Sequence, residues 1–451
     1  MTRRHGYGLL AAITATVALI VAASAALYGV LASGDGTPED SLAVRHGRHD
    51  SAAPASTAVW VGAWAAAPAA AEPGTETTGM AGRSVRNVVH TSVAGTSARI
   101  TLSNLYGQSP LTIAHASIAV AAAGGTGTDG TAAAAADTMR RLTFSGTPSV
   151  VIPSGGQVVS DAVRIAVPQD ADVLVTTYSP TPSGPVTYHP RARQTSYVAQ
   201  GDHTEDTTGT PYTERTPYWR YLTALDLLGD QADGTVVVLG DSITDGITST
   251  VGANHRWTDV LAERLRAAVA ADRDVPRYSV VNEGISGNRI LTDGPGRPAD
   301  NPSGLHRFSR DVLERTNAEV VVVDLGVNDI LRNREPADPA KIVAGLRTLV
   351  RQAHARGLRV VGATLTPVGG HPGWTAARET VRQQVNDAIR AGEVYDGVVD
   401  FDRALRDPYD PRRLREAYDS GDHLHPSDLG YRRMGEAFGL ESLRGAVQRG
   451  V

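Results

Sequence analysis

The chain has 451 residues, with 43 Lys plus Arg against 48 Asp plus Glu and a formal net charge of −5 at pH 7. This length predicts two or three domains, and 41% hydrophobic with 20% charged residues excludes both a wholly disordered chain and a multi-span membrane protein. The lack of a basic surplus argues against nucleic-acid binding, and the lack of cysteine excludes disulfides, thiolate metal sites and a cysteine nucleophile.

Residues 1–32 predict an export signal or a membrane anchor. Arg3 and Arg4 precede a long apolar, alanine-rich stretch, and Ala23-Ser24-Ala25 offers a small-residue cleavage site. The stretch is also long enough for one membrane span, so a cleaved signal is favoured and a retained anchor stays open. Residues 33–57 are polar and aperiodic, which predicts a flexible linker. Both alternatives place the rest of the chain outside the cytoplasmic membrane.

Residues 58–232 predict an antiparallel β-sandwich or jelly roll. Hydrophobic side chains alternate with other residues in Ala98-Arg99-Ile100-Thr101-Leu102 and in Val163-Arg164-Ile165-Ala166-Val167. This period of two is typical of strands with one buried face. Turn clusters such as Pro153-Ser154-Gly155-Gly156 separate the strands. Several short strands at this spacing favour a sandwich or jelly roll, and this accessory domain shows no constellation of catalytic residues.

From residue 233 to residue 451 the pattern changes to strands alternating with helices. Continuous β-branched runs predict parallel strands that are buried on both faces. These runs span 236–239, 278–281, 320–323, 359–363 and 397–399. Apolar residues at helical spacing predict helices near 257–265 and 342–353. The alternation predicts a three-layer α/β/α sandwich, in which functional groups lie beyond the carboxyl ends of the strands.

Polar motifs follow the first three of these strands, and a fourth lies near the carboxyl terminus. They read Gly240-Asp241-Ser242-Ile243, Asn282-Glu283-Gly284-Ile285-Ser286-Gly287-Asn288, Gly326-Val327-Asn328-Asp329 and Asp422-His423-Leu424-His425. Each alone is weak, since Gly-Asp-Ser is usually only a turn. Together, in this order, they resemble the four blocks of the SGNH hydrolase superfamily, also called GDSL esterases and lipases. The resemblance covers about 235–438, implies a flavodoxin-like fold, and has Ile243 in place of the motif's leucine.

The resemblance implies a serine hydrolase that requires no cofactor. Ser242 is the expected nucleophile, Asp422 and His425 complete the catalytic triad, and Ser242, Gly287 and Asn328 form the oxyanion hole. These residue types suit the chemistry, because imidazole is a base at neutral pH, a carboxylate orients the imidazole, and fixed N–H donors stabilise an oxyanion. The strand-rich amino-terminal half is similar to the front domain of certain secreted actinobacterial members.

Some loop residues leave alternatives open. Gly284 competes with Gly287 as the oxyanion donor, and a turn is its expected role. Asp241 and Asp329 are expected to hold their loops by hydrogen bonds from side chain to backbone. Arg289 either contacts substrate or forms a loop salt bridge.

The histidines need separate treatment. Asp422, His423 and His425 also fit a metal cluster, although no further ligands are evident in the sequence. Three other histidines show no partner and are expected to lie at the surface or in satisfied hydrogen bonds: His189, His203 and His371.

The predicted activity is ester hydrolysis by an exported enzyme that removes acetyl or other short acyl groups from small-molecule or polysaccharide esters. A lipase or phospholipase is the alternative within the same chemistry, although the blocks enclose no long amphipathic lid. Alternatives of other classes are a catalytically silent glycan-binding surface protein and metal-assisted hydrolysis. No nucleic-acid partner is expected, and membrane contact is expected only through an amino-terminal anchor.

Overall fold

The computed structural model describes residues 58–123 and 130–444. The predicted signal or anchor at 1–32 and the predicted linker at 33–57 lie outside the described residues. Within the two described ranges, no helix combines the length and apolar character that a membrane span needs.

The first half of the described chain consists of short antiparallel strands. They are β1 (Val59–Ala65), β2 (Ala70–Ala71), β3 (Arg83–His90), β4 (Gly95–Ser103), β5 (Leu111–Ile113), β6 (His115–Val120), β7 (Arg140–Arg141), β8 (Val150–Ile152), β9 (Gln157–Val159), β10 (Val163–Val167), β11 (Asp172–Ser179), β12 (Thr187–His189), β13 (Ser196–Gln200), β14 (Glu214–Thr216), β15 (Trp219–Arg220) and β16 (Leu222–Gly229). One sheet has the order β1-β16-β4-β10 with β9 paired to β4, and another has the order β14-β13-β3-β11-β6-β7. Two small sheets, β15-β12-β2 and β5-β8, complete this half.

The two larger sheets pack face to face, as the alternating pattern predicts. On β4, Ala98, Ile100 and Leu102 are fully buried, whereas the residues between them are only partly buried. Ile100 shares one hydrophobic core with Val85 of β3 and Val175 of β11 in the facing sheet. The predicted antiparallel, β-rich domain is therefore confirmed, with its core between the two sheets.

The second half alternates parallel strands with helices, beginning between Gly229 and Gly234. Its strands are β17 (Gly234–Gly240), β18 (Tyr278–Gly284), β19 (Ala318–Asp324), β20 (Arg359–Ala363) and β21 (Gly397–Val399). Its α-helices are α1 (Ser242–Asp245), α2 (Trp257–Ala270), α3 (Gly304–Phe308), α4 (Val327–Leu331), α5 (Pro339–His354), α6 (Ala376–Arg390), α7 (Phe401–Leu405) and α8 (Asp428–Ala437). Shorter elements are a π-helical turn at Ser309–Leu313 and 3-10 turns at Glu416–Tyr418 and Leu440–Leu443.

The parallel sheet separates two layers of helices. Val237 and Leu239 of β17 face a core that includes α5 and α6, whereas Val236 and Val238 face a second core that includes α2 and α8. Burial on both faces explains the continuous valine runs, and it confirms the predicted α/β/α sandwich.

The strand order positions the candidate site. The sheet runs β18-β17-β19-β20-β21 with every pair parallel, which is the flavodoxin-like order with a reversal between β17 and β19. The loops beyond the carboxyl ends of such strands diverge at the reversal and open a crevice. Ser242 follows β17 and Asn328 follows β19, so both lie at this crevice.

The two halves contact each other along β1 and β18. The Gly62 N–H donates to Thr235 Oγ1 at 3.0 Å, and the Val280 N–H donates to Ser92 Oγ at 3.2 Å. A Cβ on Gly62 would lie 3.2 Å from the side chain of Val281. The β-rich half therefore packs tightly against an edge of the parallel sheet.

His90, at the end of β3, forms an ionic cluster near this contact. Its Nδ1 lies 2.9 Å from Asp172 Oδ1, and its Nε2 lies 3.1 Å from Asp170 Oδ1, which also accepts from Arg266 Nη2 of α2 at 2.5 Å. Burial alone would lower the pKa of His90, but the hydrogen bonds to the two aspartates outweigh it and raise that pKa to about 9.

We expect the contribution of His90 to the free energy of unfolding to decrease as the pH rises from about 6.5 to above about 9. The folded-state pKa of His90 lies above its unfolded value of about 6.5. The protonated ring therefore stabilises the fold fully below about pH 6.5, and this contribution, at most about 3 kcal/mol, is lost as the pH rises through about 9. Urea unfolding should show His90→Gln to be less stable than wild type at about pH 6, with a smaller difference at about pH 9.5. An equal difference at both pH values would contradict the expectation.

Candidate active site

A tight turn after β17 carries Ser242. Asp241 caps α1, since its Oδ1 accepts from the Ile243 N–H at 3.0 Å, and Gly246 ends the helix in a left-handed conformation. A Cβ on Gly240 would lie only 2.2 Å from Thr244 Oγ1, so the strand-to-helix turn requires glycine there. The turn places Ser242 at the first position of α1, with 7% of the residue exposed.

The structure brings Ser242, His425 and Asp422 together. His425 Nε2 lies 2.9 Å from Ser242 Oγ, and His425 Nδ1 lies 2.6 Å from Asp422 Oδ2. Asp422 Oδ1 accepts from the backbone N–H groups of Leu424 at 3.0 Å and of His425 at 2.8 Å. One turn thus holds the carboxylate and the imidazole in a fixed relation, in line with the serine hydroxyl.

The surroundings of Asp422 in this turn lower its pKa. Partial burial alone would raise its pKa, but the hydrogen bonds from the His425 ring and from the two backbone N–H groups outweigh burial and lower the pKa to about 2. The carboxylate is therefore ionised at neutral pH, and it accepts a hydrogen bond from the Nδ1–H group of the imidazole. Its side chain is 45% exposed, so the site opens to solvent on this side.

Asn328 lies buried on α4 with its side-chain amide fixed at both ends. Its Nδ2 donates to Asp241 Oδ2 at 3.2 Å, and its Oδ1 accepts from Arg332 Nε at 3.0 Å. An amide can be oriented either way, and here a carboxylate binds the NH2 group while a guanidinium binds the oxygen. Arg332, which shows no signal in the sequence, therefore helps to fix the orientation of the Asn328 amide, with Oδ1 toward Arg332 and Nδ2 toward Asp241.

The two glycines of the second motif have different surroundings. Gly284 ends β18, and its N–H donates to Asn282 Oδ1 at 2.9 Å. Gly287 lies in the following loop with a φ of +78°, and its N–H has no hydrogen-bond partner among the residues that the structure describes. Of the two, Gly287 therefore has the N–H that a ligand can bind.

A buried pair of carboxyl groups lies behind the Ser242 turn. Asp324 ends β19, and its Oδ2 accepts from Thr244 Oγ1 at 2.8 Å. Burial raises the pKa of Asp241, and the nearby charge of Asp324 raises it further. Burial also raises the pKa of Asp324. The pair therefore holds a proton more readily than exposed aspartates do.

Asp329 and Arg289 form hydrogen bonds with backbone groups of the loops near the site. Asp329 accepts from the Ile290 N–H at 2.8 Å and from the Leu291 N–H at 3.1 Å, which confirms its expected loop-holding role. Arg289 donates to the Asp293 carbonyl at 2.8 Å, so the loop contact is to backbone and not to a carboxylate.

His423 does not join Asp422 and His425. Its Nδ1 lies 2.6 Å from Asp419 Oδ2, in a separate histidine–aspartate pair on the same loop. Across residues 58–123 and 130–444, no group of three or more His, Cys, Asp or Glu side chains is placed to hold a metal ion.

The other histidines differ in their relation to the site. His371 lies near the triad, and its pKa is lowered mainly by burial; the charge of Asp422 raises this pKa, and the charges of His425 and His423 lower it. His189 has hydrogen-bond partners, which was one of the two alternatives expected for it. It does not lie at the surface but is buried against the Ser242 turn.

Arg307 is a buried support that the sequence does not reveal. It donates to the carbonyl oxygens of Gly240 at 2.9 Å and Glu283 at 2.7 Å, and it forms an ion pair with Asp311 at 3.1 Å. Its guanidinium therefore ties the carboxyl ends of β17 and β18 together. Most arginines are exposed, so a single arginine in a helical segment gives no local signal for this role.

Comparison with known proteins gives a family match over this region. Residues 238–433 match the model of the GDSL-like lipase/acylhydrolase family. No curated protein matches the chain. Among solved structures, the chain is similar to LAE5, an alpha/beta hydrolase enzyme from the metagenome of Lake Arreo in Spain (21% identity, 48% of this chain and 96% of that chain, TM-score 0.35). It is also similar to Axe2, an acetylxylan esterase from Geobacillus stearothermophilus (21% identity, 47% of this chain and 94% of that chain, TM-score 0.35). A third similar structure is that of the M. smegmatis aryl esterase (19% identity, 45% of this chain and 95% of that chain, TM-score 0.36).

The family match and the α/β/α fold define the class of protein. The chain is a carboxylic ester hydrolase. More particularly, residues 238–433 belong to the GDSL-like lipase/acylhydrolase family, and this match begins within β17 and ends within α8.

Gly287→Ala is expected to lower kcat for ester hydrolysis by about 10- to 100-fold. A Cβ on Gly287 would lie 2.4 Å from Arg332 Nη2, so alanine displaces the guanidinium that holds the Asn328 amide. Gly357→Ala is the matched control, because Gly357 has a φ of +77° with nothing within 4 Å of the added Cβ. Both variants carry backbone strain of about 1–2 kcal/mol, and only the first should lose kcat in steady-state assays. Equal kcat values for the two variants would contradict the expectation.

Proposed function

We propose that the protein is an exported serine esterase that removes acetyl or other short acyl groups from carbohydrate or other small esters. The observation that carries the proposal is the continuous chain of contacts from Ser242 Oγ to His425 at 2.9 Å and from His425 to Asp422 at 2.6 Å. Hydrolysis proceeds through a covalent acyl-enzyme on Ser242.

Acylation begins with proton transfer from Ser242 to His425. As Oγ attacks the carbonyl carbon of the ester, Nε2 takes the hydroxyl proton, and the carbonyl π electrons move onto the oxygen. Asp422 stabilises the imidazolium through the Nδ1–H contact. When the tetrahedral intermediate collapses, the bond to the alcohol oxygen breaks, and the alcohol leaves with the proton from Nε2.

Deacylation repeats these steps with water. His425 takes a proton from a water molecule as that water attacks the acyl carbon, and the tetrahedral intermediate then expels Ser242 Oγ. The proton held by Nε2 returns to Oγ, which restores the resting enzyme and releases the acid.

Three donors are assigned to the oxyanion in both steps. They are the backbone N–H groups of Ser242 and Gly287 and the side-chain amide of Asn328. The unpartnered N–H supports Gly287 over Gly284, whose N–H donates to Asn282. The fixed amide supports Asn328, because donors stabilise the transition state best when they need no reorientation.

The openness of the site supports a short acyl group on a polar substrate. Asp422 is substantially exposed, and the long helices between the motifs, α2, α5 and α6, pack against the parallel sheet instead of covering the site. The apolar cluster next to Asn328 and His425 is small. It comprises Val327, Val368 and Leu424, with Leu331 and Trp374 packed against them. A long acyl chain would find little apolar surface here.

Export is proposed from the sequence of residues 1–32 alone. Mass spectrometry of the mature protein outside the cytoplasmic membrane distinguishes a cleaved signal, which removes the apolar stretch, from a retained anchor, which keeps it.

An acyl-chain series tests the substrate class. With aryl esters from acetate to palmitate, we expect kcat/KM to be highest for acetate to butyrate, and we expect acetate release from acetylated xylan. Longer chains gain no transition-state binding without a pocket to receive them. A clear preference for chains of about twelve carbons or more would support the lipase alternative. Glycan binding without hydrolysis of any ester would support the silent binding protein.

A further inference from the structure

The β-rich half contributes one buried imidazole to the back of the site. His189 is the last residue of β12 and is only 4% exposed. Its Nδ1 lies 2.9 Å from the carbonyl oxygen of Ala67, and its Nε2 lies 3.0 Å from Asp245 Oδ1. Asp245 is the last residue of α1, the helix that begins with Ser242. His189 therefore contacts the helix that carries the proposed nucleophile.

Asp245 continues the connection into the loop of the second motif. Its Oδ2 accepts from both the backbone N–H of Ser286 at 3.0 Å and the Ser286 hydroxyl at 2.5 Å. Ser286 directly precedes Gly287. The carboxylate therefore joins the helix of Ser242, the imidazole of His189 and the loop of Gly287.

The same loop is supported by a second segment of the β-rich half. Ala67 and Ala69 form a small buried cluster with Ile285. The Ala69 carbonyl accepts from the Asn301 N–H at 2.7 Å, and Asn301 Nδ2 donates to the Ser286 carbonyl at 2.8 Å. The loop is therefore held on both sides by groups that depend on the β-rich half.

The partners of His189 favour the imidazolium. A carbonyl oxygen only accepts, so Nδ1 must carry a proton, and Nε2 faces a carboxylate that also accepts from two other donors. Burial alone would lower the pKa of His189, but the charge and hydrogen bond of Asp245 and the Ala67 carbonyl outweigh it and raise the pKa. In the protonated form the contact is a buried ion pair, which resists displacement because breaking it leaves an unpaired charge.

We propose that His189 is a positioning residue for the oxyanion hole, acting through Asp245 and Ser286 to hold the Gly287 N–H in place relative to Ser242. The inference rests on the proposed function, which assigns the Gly287 N–H to the oxyanion. It makes the β-rich half a part of the catalytic apparatus and not only a neighbour of it. A displacement of about 1 Å in such a site costs on the order of 10²-fold in rate.

Two variants interrupt the connection at different points. His189→Phe removes both donors but keeps an aromatic ring beside Trp219, whose ring centroid lies 5.5 Å from that of His189. Ser286→Ala removes only the hydroxyl contact to Asp245. His90→Gln is the matched control, because His90 also binds two carboxylate oxygens in the β-rich half but does not contact the loop. His189→Gln tests rescue, since its amide extends about as far as Nε2 and can donate to Asp245.

The readouts separate positioning from folding. An organophosphate titration of Ser242 counts the active sites, and kcat and KM for an acetyl aryl ester are then expressed per titrated site. We expect kcat to fall about 10- to 100-fold in His189→Phe and about 3- to 10-fold in Ser286→Ala, with KM within about threefold. The inhibition constant of a boronic acid, whose adduct on Ser242 places an oxygen in the oxyanion hole, should rise in parallel. His189→Gln should recover part of the loss.

The opposite results would overturn the inference. Wild-type kcat per titrated site in His189→Phe would do so, and so would an equal loss in His90→Gln. If His189→Phe yields no titratable protein, an unchanged kcat and boronate affinity in Ser286→Ala overturn it instead. Retained activity in Ser242→Ala would refute the proposed function itself, which distinguishes that failure from a failure of the positioning role alone.

Discussion

Replacing Ser242 with alanine is expected to lower kcat for ester hydrolysis by about 10⁴- to 10⁶-fold while the protein stays folded. The variant lacks the oxygen that forms the acyl-enzyme, and His425 has no hydroxyl proton to remove. The Ser242 hydroxyl makes its hydrogen bond to His425 at a partly buried site, so the free energy of unfolding should change by no more than about 1 kcal/mol. Steady-state kinetics on an acetyl aryl ester and urea unfolding measure the two quantities.

Ser249→Ala is the matched control for this variant. Ser249 lies shortly after the same helix, and its hydroxyl donates to the Gly246 carbonyl at 2.7 Å instead of facing His425. Its kcat should stay close to that of wild type. Retention of more than about one hundredth of the wild-type kcat in Ser242→Ala would contradict nucleophilic catalysis by this serine.

Replacing Asp422 with asparagine is expected to lower kcat by about 10²- to 10⁴-fold. An asparagine side chain cannot stabilise the imidazolium as a carboxylate does, and its NH2 group competes to donate to Nδ1, which favours the wrong tautomer. Because Asp422 is 45% exposed, water replaces part of the lost interaction, so a value in the lower part of this range is expected. The change is measured as kcat at constant pH near neutrality.

Asp419→Asn provides a closely matched control. Asp419 makes the same 2.6 Å contact to a histidine Nδ1 on the same loop, but its partner is His423. Its Oδ1 accepts from the backbone of Gly421 and His423, and asparagine retains that acceptor. We expect kcat within about threefold of wild type, as for a substitution outside the reacting groups. Equal losses in Asp419→Asn and Asp422→Asn would mean that loop shape, and not the His425–Asp422 contact, controls the rate.

The fold was predictable where local patterns report burial. The valine runs of β17 and β19 are continuous because both faces of these strands are covered by helices. The alternation in β4 follows from one buried face. The pairing order of the antiparallel sheets was not predictable, because strand partners such as β3 and β11 are distant in sequence and each strand pattern suits several neighbours. The packing of β1 against β18 was not predictable for the same reason, because these strands are also distant in sequence.

The candidate site divides in a similar way. Ser242, Asn328 and His425 lie in motifs that follow strands or end the domain, so the sequence predicts them as candidates. His189, Arg307 and Arg332 reach the site from elements whose own patterns concern packing. His189 is 56 residues from Asp245, and only the folded chain brings the two together. Each of the three supports a backbone or side-chain group of the site through hydrogen bonds that no local periodicity records.

Covalent labelling of the nucleophile tests the central claim most directly. The protein is treated with an organophosphate such as diethyl p-nitrophenyl phosphate, and peptide mass spectrometry locates the phosphoryl group. We expect one group per chain on Ser242, loss of esterase activity in proportion to labelling, and no label in Ser242→Ala. Complete inactivation with Ser242 unmodified, or with the label on another residue, would contradict the assignment of Ser242 as the nucleophile.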